Sequence, residues 1–430
     1  MAYGLPATIV VMAERFWIET LGCPKNQVDS EKLSGKLTAD GMAPAGSALE
    51  ADLVIVNTCA FIEEARQESI DTVLALEDIR KPGGRLVVTG CMAERYGTEL
   101  AEALPEVDQV AGFGVSVTLS LKPGKRGGPA LPSFDLLNLP RPKATAPWAY
   151  VKIAEGCDRS CGFCAIPSFR GPQRSRTKES ILAEVRELDT KEIVLVAQDL
   201  ASYGRDDSTL GAGSIVDLVQ KVAAIVPRTR LLYLYPSDLS DALIDVILAT
   251  GVPYFDLSLQ HVSKPLLRRM RRWGDGDRFL KRIADIRERE GQAAFRSNFI
   301  VGYPGETEAD HDQMLDFIDQ AQLDWCGFFA YSPEEGTHAY TLDGAVPKAL
   351  MHERLAELRE MQDRITAARR DDLIGRTVEV LVDEIGVGRT FREAPEIDGI
   401  VHVSDHLAVG DFHQVTITDA LGPDLVAAGE

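Results

Sequence analysis

The chain has few cysteines, a shortage of basic residues and no long apolar run. Its 430 residues include seven cysteines, and 46 Lys and Arg stand against 66 Asp and Glu, for a net charge of −20. No apolar run is long enough to span a bilayer, which argues against a transmembrane helix. The shortage of positive charge disfavours nonspecific binding to nucleic acid or to an anionic membrane surface, and it favours a basic partner.

The chain also lacks the marks of an export signal. The opening stretch, MAYGLPATIVVMAERFW, has a brief apolar patch but no basic flank and no small-residue cleavage site, so we expect no signal peptide. Cysteines in a long chain without export signals are typical of a reducing compartment, where thiols bind metals or act in catalysis. We therefore expect a cytoplasmic protein.

A chain of this length is too long for one ordinary core, so two or three domains are expected. Residues 14–120 alternate β-rich runs with helical stretches, which predicts a small α/β layer with parallel strands. The runs are FWIET (16–20), DLVIVN (52–57) and RLVVTG (85–90). Residues 121–146 contain five Pro, three Gly and five Lys or Arg, a composition typical of a linker.

Two further domains are predicted after the linker, over residues 147–372 and 373–430. In the first, a strand-then-helix pattern recurs about six times, which predicts a partial (βα)6 barrel. Its predicted strands are YVKIA (150–154), EIVLVA (192–197), LLYLY (231–235), YFDLSL (254–259), FRSNFIV (295–301) and CGFFAY (326–331). Residues 373–430 show short alternating runs with Gly between them, which predicts a small antiparallel β-barrel. The predicted fold class is α/β with this added β-barrel.

Three cysteines fall within eight positions, directly after the first predicted barrel strand. Cys157, Cys161 and Cys164 have the pattern C-x3-C-x2-C in EGCDRSCGFCAIPSFRG (155–171). Thiolate is a soft ligand suited to iron–sulfur clusters, which normally take four cysteines. Three ligands on a four-iron cluster would leave one iron open to another ligand. The alternatives are a three-cysteine zinc knuckle or unrelated thiols.

This triad, with Phe163 just before the last cysteine, resembles that of the radical S-adenosylmethionine (SAM) superfamily. The resemblance implies that the amine and carboxylate of SAM bind the open iron. It also implies that an electron from the cluster breaks an S–C bond of SAM and releases a 5′-deoxyadenosyl radical. Cys157, Cys161 and Cys164 are then both metal ligands and catalytic residues.

Three other cysteines are far apart in sequence, but each follows a predicted strand. They are Cys23 in ETLGC, Cys59 in VNTC and Cys91 in VTGC. Parallel strands align their carboxyl ends on one edge of a sheet, so three separated thiols could converge there. Convergence would give a second three-cysteine cluster site, whereas three buried apolar thiols are the alternative. Cys326 lies inside a predicted strand and is expected to pack in the core.

At this point the sequence resembles the methylthiotransferase family over nearly its whole length. The resemblance lies in TLGCPKNQVDSE (20–31), VNTCAFIEEA (56–65), TGCMAERYG (89–97), the radical triad and IVGYPGET (300–307). It implies an N-terminal domain with an auxiliary [4Fe–4S] cluster, a radical SAM barrel and a C-terminal TRAM domain. Cys23, Cys59 and Cys91 match the auxiliary-cluster cysteines. Two [4Fe–4S] clusters and SAM are therefore the expected cofactors.

The family has tRNA-modifying branches and a ribosomal-protein (RimO-type) branch. GCPKNQVDSE, CAIPSFRG (164–171) and GRTFREAPEIDG (388–399) resemble the ribosomal-protein branch. Residues 373–430 have three basic residues against eleven acidic ones, opposite in sign to an RNA-binding face. The resemblance implies methylthiolation of the β-carbon of an aspartate in the basic ribosomal protein uS12, with an electron donor and a sulfur donor as further partners. No membrane partner and no direct tRNA substrate are expected, and a tRNA adenosine methylthiotransferase is the alternative.

Other candidate residues follow barrel strands at the edge where barrel sites form. The candidates for cofactor binding are Gln198, Ser258, Arg296 and Gly302, joined by the neighbouring Asp199, Tyr203, Gln260, His261 and Gly305. For the polar ones the alternative is capping of the next helix, and for the glycines an ordinary turn. The basic stretch LLRRMRRWGDGDR (266–278) is expected to be a solvated helix face.

Overall fold

The structure is a computed structural model. It describes residues 13–115, 117, 135–211 and 213–428. The chain divides into two compact units, Met1–Pro142 and Lys143–Glu430. Most of the predicted linker, residues 121–134, lies outside the described residues, as does the opening apolar patch. None of the helices in the described ranges is long and apolar enough to cross a bilayer.

The first unit is an α/β layer with a five-stranded parallel sheet of order β2-β1-β3-β4-β5. Its strands are β1 (Arg15–Thr20), β2 (Ala43–Pro44), β3 (Leu53–Thr58), β4 (Arg85–Gly90) and β5 (Gln109–Ala111). Its helices are α1 (Pro24–Ala39), α2 (Glu63–Ile79) and α3 (Cys91–Ala103). Every residue of the central strand β3 is buried. Its first four residues are all apolar, which is typical of a strand covered on both faces. The three predicted strands correspond to β1, β3 and β4.

The second unit begins with a six-stranded arc of parallel strands, which confirms the partial barrel. Two three-stranded sheets, β6-β9-β10 and β11-β12-β13, are linked by an isolated parallel bridge between Leu234 and Leu257. The strands of this region are β6 (Trp148–Lys152), β7 (Ala154–Glu155), β8 (Arg174–Ser175), β9 (Glu192–Val196), β10 (Arg228–Leu231), β11 (Tyr254–Gln260), β12 (Ala294–Val301) and β13 (Trp325–Ala330). The helices are α4 (Ile166–Arg170), α5 (Lys178–Leu188), α6 (Ser214–Ala223), α7 (Asp241–Leu248), α8 (Lys264–Arg269), α9 (Gly276–Arg289) and α10 (Glu308–Ala321).

The predicted strand LLYLY (231–235) is misplaced, since the observed strand begins three residues earlier and ends four residues earlier. The observed strand β10 ends at Leu231, and the next residues leave the sheet because Tyr233 has a φ of +65° and donates its N–H to Asp256. The true strand includes two arginines, Arg228 and Arg230, both buried. Arg230 pairs with the buried Glu192 at 2.7 Å, so a charged pair occupies positions that an apolar pattern would not predict.

Helix α11 (Lys348–Asp371) leads into a closed five-stranded barrel of order β14-β15-β16-β18-β17. Its strands are β14 (Thr377–Glu384), β15 (Val387–Arg389), β16 (Val401–His402), β17 (Phe412–Leu421) and β18 (Asp424–Ala427). Strands β16 and β18 pair in parallel, so the prediction of an antiparallel barrel is wrong for this pair. The other described pairings of the barrel are antiparallel. Alternate residues such as Val380 and Val382 fill its core.

The loop between β15 and β16 attaches this small barrel to the larger one. Trp325 donates its ring N–H to the carbonyl of Arg392 at 2.8 Å, and Tyr150 donates to the carbonyl of Pro395 at 2.9 Å. The buried Arg389 pairs with Glu192 at 3.1 Å. The stretch GRTFREAPEIDG (388–399) is therefore a docking element between the two barrels.

Candidate functional site

Cys157, Cys161 and Cys164 lie in a loop at the carboxyl end of the barrel strands. The antiparallel pair β7–β8 closes this loop at its base. Cys157 donates its N–H to the carbonyl of Gly171 at 3.1 Å, and Cys164 donates to the carbonyl of Cys161 at 3.2 Å. The backbone N–H of Arg159 points at the Cys157 sulfur, 3.4 Å away. The loop is thus folded back on itself so that the three thiols belong to one compact segment.

Arg170 anchors this loop from the IPSFRG part of the motif. Its guanidinium pairs with Glu155 at 3.1 Å, and Glu155 also pairs with Lys152 at 2.7 Å. Burial by itself would raise the pKa of Glu155, but Arg170 and Lys152 outweigh it and lower that pKa to about 2. These two ion pairs therefore hold the base of the loop in place without a cofactor.

The thiols of Cys157 and Cys164 are poor acids without a metal. Burial raises the pKa of Cys157 to about 11, with Asp199 and Cys161 adding to the effect. Burial likewise raises the pKa of Cys164 to about 12, with Cys161 and Cys157 adding to it. Because these thiols disfavour negative charge near one another, their deprotonation requires a cationic partner such as iron.

Two buried polar atoms beside this loop have no hydrogen-bond partner among the described residues. They are Oε1 of Gln198 and Nε of Arg272. Gln198 donates its amide to Glu155 at 2.7 Å, and Arg272 donates to the Cys161 sulfur at 3.4 Å, so both side chains are fixed in place. An unpaired buried acceptor and donor are costly, and a bound cofactor would satisfy both. The residues present therefore fit a polar group held at the three thiols.

A single metal ion is a poorer description of this loop. No group of three or more His, Cys, Asp or Glu side chains in the described part of the chain is arranged to hold one ion. The ligands of a four-iron cluster stand farther apart than the ligands of zinc because the cluster is wider than one ion. Three thiols with no fourth cysteine in the loop fit the donor set that a four-iron cluster with one open iron would need.

The remaining predicted cofactor residues divide into two groups. Phe163 packs against the barrel core, and the carbonyl of Ser258 accepts from Arg272, so both lie beside the cysteine loop. Gly302 follows β12 with a φ of +82°, but its N–H donates to Glu306 and Met351 fills the space above it. That glycine therefore permits close packing of α11.

Arg296, predicted as a SAM contact, lies away from the cysteine loop. It is the third residue of β12 and lies near the amino end of the strand, whereas the loop lies at the carboxyl ends. It pairs with Asp256 and with Asp398, each at 3.3 Å. Sequence alone could not reveal this because the partner Asp398 is 102 positions away, in the small barrel.

Three of the neighbouring candidates form hydrogen bonds or ion pairs with other residues of the barrel. Asp199 pairs with Arg159 at 2.6 Å, and Tyr203 donates to the carbonyl of Arg176 at 2.8 Å. His261 is buried and accepts from the N–H of Ser263 at 3.0 Å. Each therefore shapes the carboxyl edge of the barrel from within.

Cys23, Cys59 and Cys91 are brought to one edge of the first unit's sheet. Strands β1, β3 and β4 are adjacent and parallel, and each cysteine follows one of them within three residues. Cys59 and Cys91 are both 7% exposed. Strand polarity therefore places all three cysteines at the same edge of the sheet.

Asn26 lies at the centre of this second set. Its amide donates to the carbonyls of Leu21 and Thr58, at 2.9 and 3.1 Å, which ties together the ends of β1 and β3. Its Oδ1 accepts from the Cys91 sulfur at 3.6 Å. Asn26 belongs to the quoted stretch GCPKNQVDSE, but only the fold shows that it connects two strand ends to a cysteine on a third.

Glycine precedes three of the six cysteines, a shared signal that sequence reasoning missed. Gly22, Gly90 and Gly156 have φ values of +90°, +90° and +78°. A Cβ on Gly22 would lie 2.8 Å from the Cβ and 3.0 Å from the sulfur of Cys59. Only glycine adopts this conformation without strain, so it lets the chain leave its strand and present the following thiol. The distances of 2.8 and 3.0 Å also show how closely the chain after β1 approaches Cys59, which follows β3.

Family models match three stretches of the chain. They are Uncharacterized protein family UPF0004 over residues 15–112, the Radical SAM superfamily over 151–318 and the TRAM domain over 374–428. These stretches correspond to the parallel sheet, the partial barrel and the closed barrel.

Curated relatives match nearly the full length. The ribosomal protein uS12 methylthiotransferase RimO of Kineococcus radiotolerans is 41% identical, over 95% of this chain and 96% of its own length. The protein of the same name from Moorella thermoacetica is 41% identical over 94% of this chain and 96% of its own. That of Streptomyces coelicolor is 40% identical over 95% of each. The chain described here therefore belongs to the family of ribosomal protein uS12 methylthiotransferases, within the radical SAM superfamily.

Proposed function

We propose that this chain replaces one hydrogen on the β-carbon of an aspartate in ribosomal protein uS12 with a methylthio group. The observation that supports this most directly is the pair of three-thiol sets, each at the carboxyl edge of a parallel sheet. One set alone would suit any radical SAM enzyme. A second set suits an enzyme that must also supply sulfur. The relatives support uS12 as the substrate and give no support to a tRNA substrate.

In this proposal each set binds one [4Fe–4S] cluster. Cys157, Cys161 and Cys164 bind the cluster whose open iron takes SAM, and Cys23, Cys59 and Cys91 bind the auxiliary cluster. The bound clusters and SAM supply the electron, the hydrogen abstraction and the methylthio group, which is chemistry that side chains cannot supply. Beside the loop, Gln198 and Arg272 offer an acceptor and a donor to what binds there.

The charge of the small barrel supports a protein substrate. Two of the three basic residues in 373–430, Arg389 and Arg392, are buried, which leaves Arg376 exposed. Six acidic residues of the same region are exposed: Glu379, Glu384, Glu396, Asp405, Asp411 and Asp419. Among the described residues of this region, exposed acidic side chains therefore outnumber exposed basic ones by six to one, compared with eleven to three in its sequence. Such a surface repels phosphate and attracts a basic protein such as uS12.

The proposal needs an electron donor to reduce the first cluster and a source of sulfur for the transferred group. It places the enzyme in the cytoplasm, where its ribosomal substrate is made and assembled.

The test uses full-length protein, loaded with iron and sulfide without oxygen and reduced chemically. It is offered SAM with uS12 in one arm and with bulk tRNA in the other. Mass spectrometry should find the methylthio group on the uS12 aspartate and none on tRNA. Methylthiolated tRNA with unmodified uS12 would overturn the substrate, and no product in either arm would overturn the activity.

A further inference from the structure

The basic stretch 266–278 is not the solvated helix face that its sequence predicts. Arg268 and Arg271 are exposed, but Arg272 is half-buried and turns inward. It does so because Arg271 adopts a φ of +55° directly after α8, and the N–H of Arg272 donates back to the carbonyl of Leu267 at 2.7 Å. This left-handed turn reverses the chain and directs the next side chain toward the cysteine loop.

Arg272 contacts three groups at the carboxyl edge of the barrel. One terminal nitrogen donates to the Cys161 sulfur at 3.4 Å, and the other donates to the carbonyl of Ser258. Its guanidinium carbon lies 4.0 Å from the centre of the Tyr235 ring. The guanidinium therefore packs against an aromatic ring and also faces the Cys161 sulfur.

Arg159 provides a comparison within the same site. Its guanidinium stacks on the same Tyr235 ring at 3.6 Å, but it also pairs with the carboxylates of Asp199 and Asp238. Arg272 pairs with no carboxylate in the described residues. Its positive charge is therefore left to act on the sulfur beside it, whereas the charge of Arg159 is neutralised.

We propose that Arg272 is a positioning residue that raises the reduction potential of the cluster bound by Cys157, Cys161 and Cys164, with Tyr235 as its support. Reduction adds negative charge to the cluster, and a cationic donor to a ligand sulfur stabilises the reduced form more than the oxidised form. The inference rests on the proposed function, since it requires a cluster at these three thiols.

The experiment is a potentiometric titration of the full-length, reconstituted protein, followed by electron paramagnetic resonance. Arg272→Gln should lower the midpoint potential of the SAM-responsive cluster by the equivalent of at least a tenfold change in the reduction equilibrium, which is 59 mV for one electron. Arg268→Gln removes the same charge from the exposed face and should leave the potential unchanged. The same titration on a chain with Cys23, Cys59 and Cys91 replaced by Ala assigns the signal to this cluster.

A second pair of variants covers the case in which Arg272→Gln fails to retain iron. Tyr235→Phe keeps the ring under the guanidinium and should keep the potential, whereas Tyr235→Leu removes it and should lower the potential. Equal potentials for the two Tyr235 variants, or for wild type and an iron-replete Arg272→Gln, overturn the inference. If the chain lacking Cys23, Cys59 and Cys91 binds no iron, the proposed function fails instead.

Discussion

The two cysteine sets differ in how the chain brings their members together. Cys157, Cys161 and Cys164 lie within eight positions of one loop, whereas Cys23, Cys59 and Cys91 span 69 positions and follow three different strands. The first set is fixed by local backbone bonds and can be read as a motif. The second exists because β1, β3 and β4 are parallel neighbours. Three cysteines can thus be brought together either by close spacing in the sequence or by the order of parallel strands in a sheet.

The two sets also share a device. Gly156 precedes the first set, and Gly22 and Gly90 precede two members of the second, all with positive φ. In both sets the chain must turn sharply at a strand end to present a thiol. Variants of each set should therefore separate the features that both cysteine sets share from those that only one of them has.

Replacing a cysteine of the first set should have the largest effect. In the proposed function Cys157→Ala leaves two ligands for the SAM-binding cluster, so both SAM cleavage and uS12 modification should fall at least about 1,000-fold, a loss of roughly 4 kcal/mol of barrier lowering. Release of 5′-deoxyadenosine by the reduced protein measures the first activity. Cys326→Ala is the matched control, because Cys326 packs against the barrel core and should be dispensable. SAM cleavage by Cys157→Ala at the wild-type rate would refute the assignment.

Replacing a cysteine of the second set should separate the two activities. Cys59→Ala removes a ligand of the auxiliary cluster only, so product formation should stop while SAM cleavage without product continues. Iron analysis should find about four irons per chain instead of about eight. Continued methylthiolation of uS12 by this variant would show that the second set is three buried thiols and no cluster site.

The glycines should show whether each set depends on its own strand end. A Cβ on Gly90 would lie 2.3 Å from Oδ1 of Asn57, and one on Gly156 would lie 2.1 Å from the carbonyl of Pro172. Each change to Ala should cost about 3 kcal/mol of unfolding free energy, from backbone strain plus overpacking. Gly90→Ala should lose the iron of the second set and Gly156→Ala that of the first.

Gly83→Ala is the control for this pair. Gly83 has a φ of +81° but no atom within 4 Å of an added Cβ, so only backbone strain of about 1 kcal/mol is expected. Urea unfolding and iron analysis measure both effects. A control that loses as much iron as Gly90→Ala would mean that general instability, and not the strand end, governs cluster binding.

The smallest effect is a pH dependence that should appear in the barrel unit. Burial lowers the pKa of His261 to about 3, from an ordinary value of 6.5. Below pH 6.5 the unfolded chain therefore binds a proton that the folded chain does not, and the folded state loses up to about 1.4 kcal/mol per pH unit until the pH nears 3. Hydrogen exchange of peptides from each unit in urea, at pH 7.5 and 5.5, measures this loss.

Matched histidine variants make that test specific. His261→Asn should flatten the pH dependence of the barrel unit, whereas His402→Asn, which removes an exposed ring of the same unit, should not. If the barrel unit is equally stable at both pH values in the wild type, His261 does not remain neutral in the folded protein.

Most of the fold follows from periodicity, and the exceptions have electrostatic causes. Strands such as β3 and β9 are unbroken runs of buried residues, so their positions could be predicted within a residue or two. Strand β10 could not, because Arg228 and Arg230 are buried by carboxylates from other elements, Glu379 and Glu192. A pattern of apolar residues predicts the burial of apolar side chains, but it does not predict the burial of charged side chains that form ion pairs.

The candidate site divides in the same way. Gln198 and Ser258 lie beside the cysteine loop as their positions after or within barrel strands predict, but Arg296 is held at the other end of its strand by Asp398. Arg272 and Tyr235 were missed because one belongs to a charged stretch and the other to a misplaced strand. Their proximity to Cys161 depends on a left-handed turn at Arg271, which leaves no apolar pattern.

By itself the sequence determined the first three-cysteine loop, the strands that bury continuous apolar runs and the acidic character of the small barrel, since each depends on residues close together in the chain. The tertiary structure alone decided that Cys23, Cys59 and Cys91 lie at one edge of a sheet, that Arg389 and Arg392 are withdrawn from the surface, and that Arg272 faces the Cys161 sulfur. Those outcomes depend on strand order and on paired charges between distant segments. No local pattern specifies a partner that lies a hundred residues away.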